Sequence, residues 1–134
     1  MKHSGRRAVL AASMLGAALA IASLPGATLA KDGDIIRTGS CTGGADWKLK
    51  LSPEDGRIEV EFEVDQNQNG KTWNVRLKRD GNLVFKGQRT THAPSGSFEL
   101  RRVIGDSPGA DHIKARAKQT STGQVCVRTA TFSA

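Results

Sequence analysis

Ile58-Glu59-Val60-Glu61-Phe62-Glu63-Val64 alternates an apolar residue with a carboxylate without a break. A strand repeats every two residues, so this stretch places every large apolar side chain on one face and every glutamate on the other. A helix would scatter the same residues around its circumference. The segment therefore reads as a strand with one face against a core, and its neighbours follow the same rule.

On the N-terminal side, Trp47, Leu49 and Leu51 alternate with Lys48 and Lys50. On the C-terminal side, Trp73, Val75 and Leu77 alternate with Asn74, Arg76 and Lys78, and Leu83 and Phe85 continue the apolar pattern. Phe98 and Leu100 form a shorter run, and Ile113, Ala115 and Ala117 alternate with Lys114, Arg116 and Lys118. Val125, Val127, Ala130 and Phe132 close the chain less regularly. Turn residues separate the runs: Ser52-Pro53-Glu54-Asp55-Gly56, Asn67–Gly70, Asp80-Gly81, Ala93–Gly96, Ser107-Pro108-Gly109 and Thr122-Gly123. Asp-Gly between alternating runs is a strong hairpin signal. About seven strands with turns every 8–12 residues, and no helical stretch, predict an all-β antiparallel sandwich. If the turn at 52–56 closes a hairpin, Lys50 falls opposite Glu59 and Lys48 opposite Glu61, a cross-strand ladder of opposite charges.

The first thirty residues have a different composition. Lys2, Arg6 and Arg7 precede the uncharged stretch Ala8–Leu24, and Ala27-Thr28-Leu29-Ala30 offers small residues at a cleavage position. This is the pattern of an export signal, expected to be removed, with no membrane span left afterwards. Arg6-Arg7 partly resembles a twin-arginine motif, but Val9 replaces the usual aromatic residue and the general secretory route fits better. The expected organisation is a signal at 1–30, a leading segment 31–43 that carries Cys41, and a sandwich domain at 44–134, in a secreted protein. The whole chain carries a formal charge of +7. The signal takes three basic and no acidic residues with it, leaving +4 on the remainder. That is mildly basic, without the dense stripe of a dedicated nucleic-acid binder. Cys41 and Cys126 are the only cysteines, and in an oxidising compartment two cysteines in a small domain pair.

Three features carry a resemblance: Trp73 on a middle strand, the block Gly96–Leu100 followed by Asp111–Ala117, and Gly123-Gln124-Val125-Cys126 opening the last strand. Over roughly residues 41–132 the chain resembles the immunoglobulin-like sandwiches of small secreted actinobacterial proteins. The resemblance implies a fold and no catalytic or binding residues. A Cys41–Cys126 bridge departs from the immunoglobulin pattern, in which the disulfide joins two inner strands.

The residues with potential chemistry are few. Asp65-Gln66-Asn67-Gln68-Asn69-Gly70 matches the first half of a calcium loop, with Asp65, Asn67 and Asn69 as weak candidate ligands. The position that should supply a bidentate glutamate holds Arg76. His92 and His112 lack partners at metal-ligand spacing, and no nucleophile or phosphate-loop motif occurs. Glu59, Glu61 and Glu63 line one strand and do not face one another across a cleft, as glycoside hydrolysis would require. An enzyme is not expected, nor a cofactor.

With no tyrosine, and both tryptophans on the apolar register, platforms for sugars or unpaired bases are missing, so no nucleic-acid partner is expected. What remains is a basic excess on the late strands, chiefly Arg101, Arg102, Lys114, Arg116 and Lys118. If their two strands share a sheet, these residues form one positive field. That field suits an anionic polymer of the cell envelope or an acidic protein. The alternative is a small extracellular module stabilised by calcium at the Asp65–Gly70 loop.

Overall fold

The computed structural model describes residues 30–133; the expected signal falls outside them, apart from Ala30. The described chain forms eight strands: β1 (Ile35–Ser40), β2 (Asp46–Glu54), β3 (Arg57–Asp65), β4 (Thr72–Arg79), β5 (Asn82–Thr90), β6 (Ser97–Gly105), β7 (Ala110–Gln119) and β8 (Val125–Ser133). They make two four-stranded antiparallel sheets. The N-terminal sheet has the order β1-β2-β3-β6 and the C-terminal sheet the order β5-β4-β7-β8. This is the all-β sandwich that the alternation implies. No helix among the described residues is long and apolar enough to cross a membrane.

The core is the sum of the apolar faces. Leu49, Leu51, Ile58, Val60, Phe62 and Val64 from one sheet meet Trp73, Val75, Leu77, Ile113, Ala115 and Ala117 from the other, all buried. Both tryptophans are buried, as are Phe98 and Leu100. Trp73 packs across the sandwich on Phe98, with ring centroids 6.2 Å apart and planes tilted by 57°. Its indole N–H donates to Gln66 Oε1 at 3.2 Å. Gln66 Nε2 donates in turn to Gln119 Oε1, which also accepts from Gln124 Nε2. A chain of amides thus closes one end of the core and satisfies the one polar atom of a fully buried tryptophan.

Three features differ from the sequence expectation. The segment 31–43 contributes β1, which pairs with β2 from Ile35↔Leu51 to Ser40↔Asp46. Its apolar residues do not alternate, and it is an edge strand whose burial falls mainly on Ile35 and Gly39. Gly39 is needed there, because the Trp47 ring lies over it: a Cβ would stand 2.5 Å from Trp47 Cζ2.

The second difference is the hairpin register. The turn is Asp55-Gly56 alone, with φ of 47° and 73°, the left-handed pair of a two-residue hairpin. Ser52, Pro53 and Glu54 belong to β2, and Pro53 lies beyond the end of its pairing with β1, where its missing N–H leaves no ladder bond unmade. The register moves by two residues. Lys50 faces Glu61 and Lys48 faces Glu63, not Glu59 and Glu61.

The third is a bulge in β5. Lys78 pairs with Leu83, but Leu77 pairs with Phe85, so one extra residue, Val84, is accommodated between them. A single-residue insertion reverses which face each later side chain takes. Leu83 therefore points outward, 53% exposed, while Phe85 packs against the core.

Cys41 and Cys126 are bonded, with Cα atoms 4.4 Å apart, well inside the reach of a disulfide. The bridge joins the turn after β1 to β8, an edge of each sheet. The hydrogen bonds Thr42 N–H to Val125 O and Val125 N–H to Thr42 Oγ1 flank it.

A candidate anion-binding face

The outer face of the C-terminal sheet follows from alternation plus register. On β4 the outward residues are Asn74, Arg76 and Lys78; on β7 they are Lys114, Arg116 and Lys118. Antiparallel pairing sets Lys78 opposite Lys114, Arg76 opposite Arg116 and Asn74 opposite Lys118. The bulge in β5 then brings Lys86 opposite Arg76, on its other side, and Gln88 opposite Asn74. The centre of the face is a cross-strand row, Lys86–Arg76–Arg116. It is flanked by Lys78–Lys114 on one side and by Lys118 with the Asn74–Gln88 amide pair on the other. Gln88 Nε2 donates to Asn74 Oδ1 at 3.1 Å.

None of these six cations takes part in an ion pair among the described residues. The four strands of the sheet carry a single carboxylate, Asp111, which is buried and turned toward Arg79. Like charges directly opposite on neighbouring strands destabilise a sheet by about as much as opposite charges stabilise it, ~0.2–1 kcal/mol per pair. Two shallow concavities lie on either side of Arg76. The larger, of about 520 Å³, is lined by Asn74, Arg76, Lys86, Gly87 and Gln88; the smaller, of about 140 Å³, by Arg76, Lys78, Lys114 and Arg116.

On the opposite face of the sandwich most charges are paired, although Glu63 and Glu99 stand opposite one another. Lys48 Nζ lies 3.6 Å from Glu63, and Lys50 Nζ lies 3.6 Å from both Glu61 and Asp34. Lys50 is only 5% exposed, because the segment before β1 folds across it. Arg101 is bonded to Glu59, and that bond holds the Glu59 carboxyl below its usual range. Burial, with the bond to Glu59 next in weight, pushes Glu61 up.

The late-strand basic residues therefore divide. Arg101 and Arg102 lie on β6 in the N-terminal sheet, whereas Lys114, Arg116 and Lys118 lie on β7 in the other, so the five do not form one field. Arg101 is committed to Glu59. Arg102 lies on the inward register at the sheet edge, its guanidinium 4.6 Å from the centroid of the Phe85 ring, with Arg89 5.1 Å from the same ring. Cations stacked on an aromatic face in this way pin a sheet edge. Lys114, Arg116 and Lys118 remain together, joined by Arg76, Lys78 and Lys86. Arg76 and Lys78 alternate outward on β4, and Lys86 follows the inward Phe85 on β5, where the bulge sets it opposite Arg76.

The Asp65–Gly70 loop takes part of its bonding from the protein itself. Asp65 Oδ1 accepts from Asn67 N–H at 3.0 Å, Gln68 O from Thr91 Oγ1 at 2.6 Å, and Gln66 points inward to Trp73. Among the described residues no group of three or more His, Cys, Asp or Glu side chains could hold a metal ion. His92 and His112 are both exposed.

No family model, curated protein or solved structure matches this chain.

Proposed function

We propose that the chain is a secreted, non-catalytic immunoglobulin-like interaction module. It binds an anionic envelope polymer or an acidic protein through the outer face of its C-terminal sheet. The immunoglobulin-like reading is supported by the strand order, in which β3 to β4, β5 to β6 and β6 to β7 each cross between sheets, and by Trp73 buried on an inner strand. Secretion is supported by the disulfide, which persists in oxidising compartments, and by the signal-like opening of the sequence.

The observation that carries the binding role is the Lys86–Arg76–Arg116 row with its Lys78–Lys114 neighbour: cations facing cations with no carboxylate between them. A sandwich that pairs most charges on one outer face and leaves the cations of the other in mutual repulsion sacrifices stability where a ligand would restore it. Violations of local consistency of this kind concentrate at functional sites. The positive field also raises encounter rates with anions and weakens with salt.

The test is retention on anionic envelope material and on an immobilised acidic protein, at low and high salt. The comparison variant carries Arg76→Gln, Lys78→Gln, Lys114→Gln and Arg116→Gln together. The native chain should be retained at low salt and released at high salt, and the variant should pass through. Equal retention of both proteins defeats the proposal.

A further inference from the structure

We propose that the ligand of this face is a linear phosphate-bearing polymer that runs along β4 and β7, its phosphates taken in turn by the successive cation rows. The inference rests on the binding role above and specifies its partner.

The shape of the field gives the direction. Alternate residues of a strand are roughly 6–7 Å apart, so the path from Lys78 through Arg76 to Asn74 covers about 13 Å, with Lys114, Arg116 and Lys118 keeping pace on β7. Across the strands the field spans β5, β4 and β7 at its central row and ends there. Thr129, Val127 and Val125 stand opposite the three β7 cations on one flank, and Leu83 stands beside Lys78 on the other. The positive surface is thus a short, broad strip, about 13 Å along the strands and roughly 10 Å across its central row, and a chain laid along the strands meets its rows one after another.

The chemistry of the strip excludes the alternatives in turn. Protein interfaces draw most of their energy from desolvated aromatic and arginine anchors set in an apolar centre. This face has no aromatic residue on it, and its exposed apolar side chains, Leu83 and Val127, sit at its margins. Without an aromatic platform there is also nothing for a base to stack on. The central row decides between anions. Lys86, Arg76 and Arg116 bring two guanidinium forks and an ammonium to one place. An in-chain phosphate keeps two free oxygens on a tetrahedral phosphorus, and a polymer repeats that bidentate acceptor at short, regular intervals along its length, so that successive forks each meet one.

The test uses inorganic anions as probes. Affinities of the purified protein for orthophosphate, tripolyphosphate, longer polyphosphates and polyglutamate are measured by calorimetry at several salt concentrations. Affinity should climb steeply with polyphosphate length until a chain spans about 13 Å and then rise only with the number of overlapping sites. For the long chain, log K should fall with log salt at a slope of roughly −4, as for five or six contacts on a flexible strand.

Removing both ends of the strip, Lys78→Gln with Lys118→Gln, should weaken long-chain binding roughly fivefold or more and tripolyphosphate binding by clearly less. Arg116→Gln should weaken both. The thermal unfolding of each variant reports that it is folded. A length-independent affinity, end variants that weaken short and long chains alike, or polyglutamate binding as tightly as polyphosphate at equal charge would each overturn the phosphate-strip inference and leave the binding role standing. Failure to bind any of these anions removes both.

Discussion

Lys114 stands directly opposite Lys78 on a fixed backbone, so Lys114→Glu turns a repulsion into an attraction without altering the core. Two unit charges whose heads splay to about 7 Å interact by roughly 0.6 kcal/mol in water. Reversing one sign therefore changes stability by about 1.2 kcal/mol before screening. With a Debye length near 10 Å at 0.1 M ionic strength, about half of that survives. Arg76, diagonal to Lys114, acts in the same sense. For a domain of this size each kcal/mol moves Tm by about 4–8 °C, so the variant should melt roughly 2–5 °C higher at 0.1 M salt. Lys114→Gln should give half the gain, since it only removes the repulsion. Both gains should vanish at 1 M salt, where screening acts within about 3 Å. Thermal unfolding at three salt concentrations reads all of this. A Lys114→Glu protein no more stable than the native chain at low salt would show that the rows do not repel. The argument that the face is held in wait for an anion would then fall. A gain that persists at 1 M salt would have the same consequence, because its origin would not be electrostatic.

Three further outcomes are expected. Replacing Cys41 and Cys126 by alanine opens a loop of 85 residues in the unfolded chain and should cost about 4–5 kcal/mol in the loop-entropy model, read by denaturant titration; a loss below about 1 kcal/mol would show that β8 is held without the bridge. Lys50→Met leaves the half-buried Asp34 and Glu61 without their shared cation and should cost up to ~3 kcal/mol at neutral pH, whereas no loss would mean that the two carboxylates find solvent. Asp106 and Asp111 each bury an oxygen without a hydrogen-bond partner, and the bond and charge of Asp111, with burial, hold the Asp106 carboxyl above its usual range. A raised pKa stabilises the fold below the unfolded value near 4 and loses that contribution as pH rises through the folded value. Asp106→Asn, permanently neutral, should therefore gain stability over the native chain between about pH 4 and 7; an equal difference at both ends of that range would show that the fold does not hold the Asp106 proton more tightly than the unfolded chain.

The alternation at 58–64 was enough to reveal the sandwich, because a period of two has only one economical burial and the turn residues mark where each strand stops. The core residues were legible for the same reason: Trp47, Trp73 and Phe98 each share parity with the apolar residues of their strands. What could not be read were relationships between strands. The Lys48 and Lys50 pairings depend on whether Pro53 turns the chain or continues it, and proline is at home in either place. β1 is an edge strand with little to bury, so it leaves no periodic trace. The basic face was half visible. Lys114, Arg116 and Lys118 declare themselves by alternation, but their company depends on which strands adjoin β7. Arg101 and Arg102, nearer in sequence, are across the sandwich. Lys86 stands opposite Arg76, and Leu83 points outward, only because Val84 is accommodated as an extra residue, and no residue type at that position announces a bulge.

The disulfide gives the sandwich a spine. It fastens the turn after β1 to β8 along one flank, where Thr42 and Val125 add their own hydrogen bonds, while the other flank, between β5 and β6, is held by Phe85 between two arginines. Transient opening in proteins begins where the restraints are weakest. The two sheets should therefore breathe as a book does, parting at β5 and β6 and turning about the bound edge. Amide hydrogens near the stacked arginines would exchange with solvent first and those beside Cys126 last. β4 and β7, in the middle of their sheet, would ride on one cover of that book as an unbroken plate. The spacing of the cation rows would survive each opening and closing unchanged.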